Sequence, residues 1–73
     1  MKLRLPAGNP GTEPRRDRRR SVFLQVLEGE LWLRVEGKEL TLTPTEFYVV
    51  PKNTPYRYRN SSSGETVIEV EFK

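Results

Sequence analysis

The sequence contains no cysteine and no histidine. Without thiols there are no disulfides and no thiol catalysis, and without imidazole there is no histidine acid–base chemistry and no Ser-His-Asp arrangement. With neither, no standard structural zinc site can be built. What remains favours binding over chemistry. Alanine occurs only at Ala7, while valine, threonine and aromatic residues recur, which argues against helices and for strands. No apolar run approaches the ~18 residues of a membrane helix, and no signal-peptide core follows Met1 to Leu5. The chain is therefore expected to be soluble and cytoplasmic, with no membrane partner.

At 73 residues the chain is expected to form a single domain spanning residues 1–73. Surface scaling has folding remove roughly 7,500 Å² from water, worth on the order of 115 kcal/mol if about 60% is apolar, against an ordering cost of about 110. A lone monomer is marginal, and with disulfides and zinc excluded, oligomerisation is the remaining stabiliser. We expect a homodimer, joined through Phe23 and Gln25 with Trp32 or the Lys2 to Leu5 strand.

Charge is unevenly placed. Residues 1–20 carry seven basic and two acidic side chains, +5, and residues 21–73 carry six basic and eight acidic, -2. The basicity belongs to the Arg15-Arg16-Asp17-Arg18-Arg19-Arg20 segment, and no second basic stripe is evident. Weak, salt-sensitive nucleic-acid affinity is expected from that run, without sequence selectivity.

Lys2-Leu3-Arg4-Leu5 alternates as a half-buried strand, and Pro6 to Gly11 breaks it. In Ser21 to Leu27 both alternate sets are largely apolar, predicting a central strand covered on both sides. Glu36-Gly37 is a two-residue connection between Leu31–Val35 and Lys38–Leu42. That turn pairs Val35 with Lys38, Arg34 with Glu39, Leu33 with Leu40, Trp32 with Thr41 and Leu31 with Leu42, so one face collects the aliphatic residues. Further strands are predicted over 47–50, 56–60 and 66–72, the last with Ile68, Val70 and Phe72 inward. Short strands at this spacing predict an all-β sandwich or barrel.

Val26-Leu27-Glu28-Gly29-Glu30-Leu31 resembles the end of the first cupin motif, and Thr45 to Asn60, with Pro51 and Asn60 in place, resembles the second, G-x5-P-x-G-x2-H-x3-N. Thr45 and Asn53 stand at its two glycine positions, and asparagine is the next residue to tolerate a left-handed backbone. The resemblance implies a small, mostly antiparallel cupin-like double-stranded β-helix or jelly roll. It also implies that metal ligands are lost, all four positions in one alignment and three of four in the other. Counting back from Gly29, the two first-motif histidine positions fall on Arg16 and Arg18, or on Arg15 and Asp17 with a longer spacer. In the first alignment the glutamate position is Val22, and the second-motif histidine position is Tyr56. No metal, no cofactor and no enzyme activity are therefore expected. A metal-free cupin, the dimerisation domain of centromere protein C, has a loop similar to Val50 to Tyr56, which favours assembly.

Tyr56 and Tyr58 lie two apart on one strand and, with Arg16 and Arg18, can line a barrel mouth suited to a small carboxylate, phosphate or sugar. The expected function is a non-catalytic, metal-free assembly or scaffold module. A binding module using Arg16, Arg18, Tyr56 and Tyr58, or a metal-free isomerase, is the alternative. Absent His and Cys, regular alternation and idealised turns suit a designed barrel or a heat-stable natural one, and the sequence leaves both open.

Overall fold

The computed structural model describes residues 1–73 and contains seven strands: β1 (Lys2–Leu5), β2 (Val22–Glu28), β3 (Leu31–Val35), β4 (Lys38–Leu42), β5 (Phe47–Val50), β6 (Tyr56–Arg59) and β7 (Thr66–Phe72). There is no helix, so none is long and apolar enough to cross a membrane. Two sheets, ordered β1-β7-β2-β5 and β4-β3-β6, pair antiparallel throughout, as the all-β reading expects.

The alternation of each strand decides what the sheets enclose. Val22, Leu24 and Val26 of β2, Leu31, Leu33 and Val35 of β3, Leu42, Val50, Tyr56, Tyr58, Ile68 and Val70 form one buried cluster. Leu3, Leu5, Leu40 and Tyr48 close its margins. The β3–β4 hairpin has the expected register, Val35 opposite Lys38 through Leu31 opposite Leu42. Its turn is set by Glu36 at φ 50° and Gly37 at φ 80°, the left-handed pair that a two-residue hairpin requires.

Three expectations are corrected. β2 begins at Val22 and runs to Glu28, and Leu27 is the extra residue of a bulge, because Val26 pairs with Ile68 while Glu28 pairs with Val67. β2 is central in its sheet, but its outer set is not covered: Phe23 and Gln25 are only half-buried, since no third layer lies over that face. Phe72 is exposed at the end of β7, where its ring meets the Arg20 guanidinium 4.6 Å from its centroid.

Thr45, at the first glycine position of the motif, sits at φ 73°, a strained conformation for a β-branched residue. Its N–H donates to the Val26 carbonyl at 2.8 Å, and its own carbonyl accepts from Nε2 of Gln25 at 3.1 Å. Those bonds hold the strain in place. Thr45→Gly is expected to raise stability by about 0.5–1 kcal/mol, the strain relieved less the chain entropy glycine adds. Urea unfolding checks this, and a lower midpoint would show that the hydroxyl side chain stabilises more than its backbone costs.

Candidate functional site

After β1 the chain runs along the side of β6 that β3 leaves free. The Thr12 N–H donates to the Tyr58 carbonyl at 3.1 Å, and Arg15 and Tyr56 exchange both backbone bonds, at 2.7 and 2.9 Å. Directly paired residues point the same way, so Arg15 shares the face of Tyr56. Of the two spacers the motif allows, the longer one therefore sets its residue across from Tyr56.

Asp17 turns the arginine run. Its Oδ1 accepts the N–H groups of Arg19 and Arg20, each at 2.9 Å, and its Oδ2 accepts Nε of Arg20 at 3.1 Å. These bonds, the Arg19 N–H foremost, hold its carboxyl below the usual range against the opposing effect of burial. A carboxylate so engaged is a weak base. Its backbone carbonyl accepts the Asn53 N–H, which ties the arginine segment to the loop after β5. Asn53 is at φ 60°, the left-handed conformation expected at this glycine position.

Tyr56 and Tyr58 are each 5% exposed and stack with ring centroids 6.5 Å apart. Burial pushes both phenols above their ordinary range, and for Tyr56 the neighbouring Tyr58 adds to the shift while Arg15 opposes it. Both are therefore neutral hydroxyls at physiological pH. An open cavity of about 560 Å³ is lined by Arg15, Arg16, Asp17, Arg18, Arg19, Tyr56 and Phe72. Arg16, Arg18 and Tyr56 thus come together, whereas Tyr58, stacked on Tyr56, does not line the cavity. Arg15, which the sequence offers only as the first histidine position of the longer spacer, joins them at the mouth.

The mouth offers guanidiniums and protonated phenols, donors suited to an anion or a polyol. No group of three or more His, Cys, Asp or Glu side chains comes together, so this donor set does not fit the imidazole-based metal centre of the cupin motifs. Glu69 and Glu71, two apart on β7, are each engaged by a cation: Glu69 binds the amino group of Met1, and Glu71 lies 3.6 Å from Nζ of Lys73.

A second basic stripe does exist. Arg34, Arg57 and Arg59 share the outer face of the β4-β3-β6 sheet around Trp32. Alternation alone turns each of them outward. Their adjacency depends on the β3–β6 pairing, which joins segments far apart in the chain and leaves no local signature.

The model of the Cupin domain family matches residues 1–71. Among solved structures, the TT1209 protein of Thermus thermophilus is similar over 94% of this chain and 65% of its own, with a TM-score of 0.87 and 23% identity. A Drosophila melanogaster CENP-C structure, bound to CAL1, matches over 99% of this chain and 62% of its own, at 0.86 and 17%. A predicted oxalate decarboxylase of Thermotoga maritima matches over 97% and 61%, at 0.90 and 11%. At these identities the likeness shows the fold alone, and the chain spans less than two thirds of the length of each. No curated protein matches at a significant level.

Proposed function

This chain belongs to the cupin domain family, and from that premise we propose that it is a metal-free, non-catalytic assembly module that works as a homodimer. The state of its sheet edges carries the reading. β1 bears Lys2 and Arg4, β4 bears Lys38 and Glu39, and β6 is bonded by the Thr12 to Arg15 segment, so those edges are blunted by charge or covered. β5, Phe47-Tyr48-Val49-Val50, pairs only with β2 and carries no charge at all. An edge without a guard is a template for another strand.

The adjoining surface agrees. Phe47 is 58% and Val49 47% exposed, and Phe47 stacks on Phe23 with centroids 5.5 Å apart, making an apolar patch continuous with the edge. The surface of the chain is 4675 Å², close to the ~4,650 Å² that a compact monomer of 8.5 kDa has, so the patch is not the product of loose packing. A standard interface would cover about 800 Å² of it. A CENP-C structure solved with CAL1 bound has a similar fold, so an assembly role is compatible with this architecture.

Sedimentation tests this reading. The wild type is expected to be a dimer at micromolar concentration, and Phe47→Lys with Val49→Lys a folded monomer, because charge on the edge ends the pairing. A wild type that sediments as a stable monomer would overturn the proposal. The second reading, a small anion or polyol bound at the mouth by Arg15, Arg16, Arg18 and Tyr56, rests on the 560 Å³ cavity. A thermal-shift screen of sugars and carboxylates checks it, since a ligand at ~100 times its dissociation constant adds about 2.7 kcal/mol.

A further inference from the structure

The outer face of the β4-β3-β6 sheet is a separate place. The register sets Trp32 beside Arg59 and Arg34 beside Arg57. Like charges directly opposite on a ladder repel, so the Arg34–Arg57 pair is unfavourable unless an acid offsets it. No acid makes a close ion pair with them, since Arg34, Arg57 and Arg59 take part in none of the chain's salt bridges. Glu39 neighbours Arg34 on the other side, but its Oε1 accepts the indole N–H of Trp32 at 3.1 Å.

The guanidiniums lie against the Trp32 ring instead, Arg59 at 4.1 Å and Arg57 at 5.7 Å from its centroid. A ring face attracts a cation but offers no lone pair to its N–H groups. Nε of Arg57, Nε of Arg59 and Oγ1 of Thr12 are buried without a hydrogen-bond partner. All three belong to β6 or to the segment bonded along its edge. The two arginine nitrogens lie on one strand face beside Trp32, where a hydrogen-bond acceptor from outside the chain would pair them.

A cleft of about 380 Å³ opens at the Arg34–Arg57 end, lined by Pro14, Arg34, Glu36, Pro55, Tyr56 and Arg57, among others. It shares only Tyr56 with the mouth. The geometry points to this cleft as a binding site for a phosphate group, gripped by Arg34 and Arg57, with Arg59 one step along the strand. Each fork can satisfy two oxygens, so two guanidiniums lining one cleft suit an anion with three or more oxygens better than a carboxylate. Glu36 lines the same cleft, where its carboxylate opposes a bare anion and accepts from a hydroxyl or an amine, which favours a phosphate ester carrying a sugar or nucleoside. Arg57 and Arg59 are about 6.8 Å apart along the strand, within reach of successive phosphates of a polynucleotide. The phosphate ester is thus either a small molecule or a link in a single strand.

Trp32 is the sole tryptophan, so its fluorescence reports directly on the guanidiniums stacked against it. Titration with AMP and with a short oligothymidylate is expected to give a saturable change in at least one arm. AMP binding identifies a small ester, and binding of the oligomer alone identifies a polynucleotide. Arg34→Gln and Arg57→Gln should each weaken binding by at least about tenfold, the worth of a charge-assisted hydrogen bond. Lys52→Gln, at an exposed cation that lines neither cavity, should leave it unchanged. Arg34 is exposed, so its variant keeps the fold whatever Arg57→Gln does, and its melting temperature should hold or rise as the like-charge contact goes. No saturable change in either arm overturns the proposal. So does wild-type affinity in Arg34→Gln, or a loss of binding in Lys52→Gln.

Discussion

Asn60→Ala is expected to lower stability by about 3–5 kcal/mol, more than any single substitution on the surface. The side chain is wholly buried. Its Nδ2 donates to the carbonyls of Leu5 at 2.9 Å, Pro6 at 3.0 Å and Gly64 at 2.8 Å, and its Oδ1 accepts from the N–H and Oγ of Ser62 at 3.0 and 2.6 Å. One amide therefore pins the end of β1 to the β6–β7 turn. Alanine leaves several of these backbone groups unpaired, and each buried one costs about 1–3 kcal/mol. A domain of this size has on the order of 4–11 kcal/mol in all, so the variant sits near its unfolding threshold. Urea unfolding measures the loss, and Asn60→Asp, which keeps the acceptor but not the donors, should be as damaging. A loss under about 1 kcal/mol would mean that the turn simply reorganises.

Gly11→Ala is expected to cost about 2–4 kcal/mol and to disturb the mouth as well. A Cβ at this position would lie 1.8 Å from the Tyr58 carbonyl oxygen and 2.7 Å from Cα and Cβ of Arg59, and the backbone there has φ 79°. Neither obstacle is the far end of a flexible side chain. The Thr12 to Arg15 segment has to lift from β6, breaking the Thr12–Tyr58 and Arg15–Tyr56 bonds and carrying Arg15 away from the tyrosines. Amide exchange at Thr12, Arg15 and Tyr56 should accelerate together. Gly8 provides the comparison, because it too has positive φ, 70°, but has open space around its Cβ position. Gly8→Ala should cost only the conformational strain, about 1–2 kcal/mol. Equal losses in the two variants would show that close approach at Gly11 is not what holds the segment down.

Some of this was legible in the residues alone. The β3–β4 register followed from Glu36-Gly37 and the aliphatic face, since a one-residue slip would have turned Leu31, Leu33 and Val35 to solvent. The cupin motifs located Tyr56, Asn53 and Asn60, yet they matched Asn60 only as a family position. Its five side-chain contacts join residues up to 55 positions apart. The bulge at Leu27 was hidden because an apolar residue in an apolar strand reads as one more core position, and only the partner strand shows it to be extra.

The sequence by itself determined the strand class, the hairpin and the loss of metal-binding side chains, because period-two alternation, turn chemistry and side-chain inventory are local properties. Tertiary structure alone decided which strand edge stays open, which arginine faces Tyr56, and that Arg34 meets Arg57 beside Trp32. Each of these depends on pairing between distant segments. Such pairing is chosen by the burial of the whole apolar set at once, and no short stretch of chain contains that information.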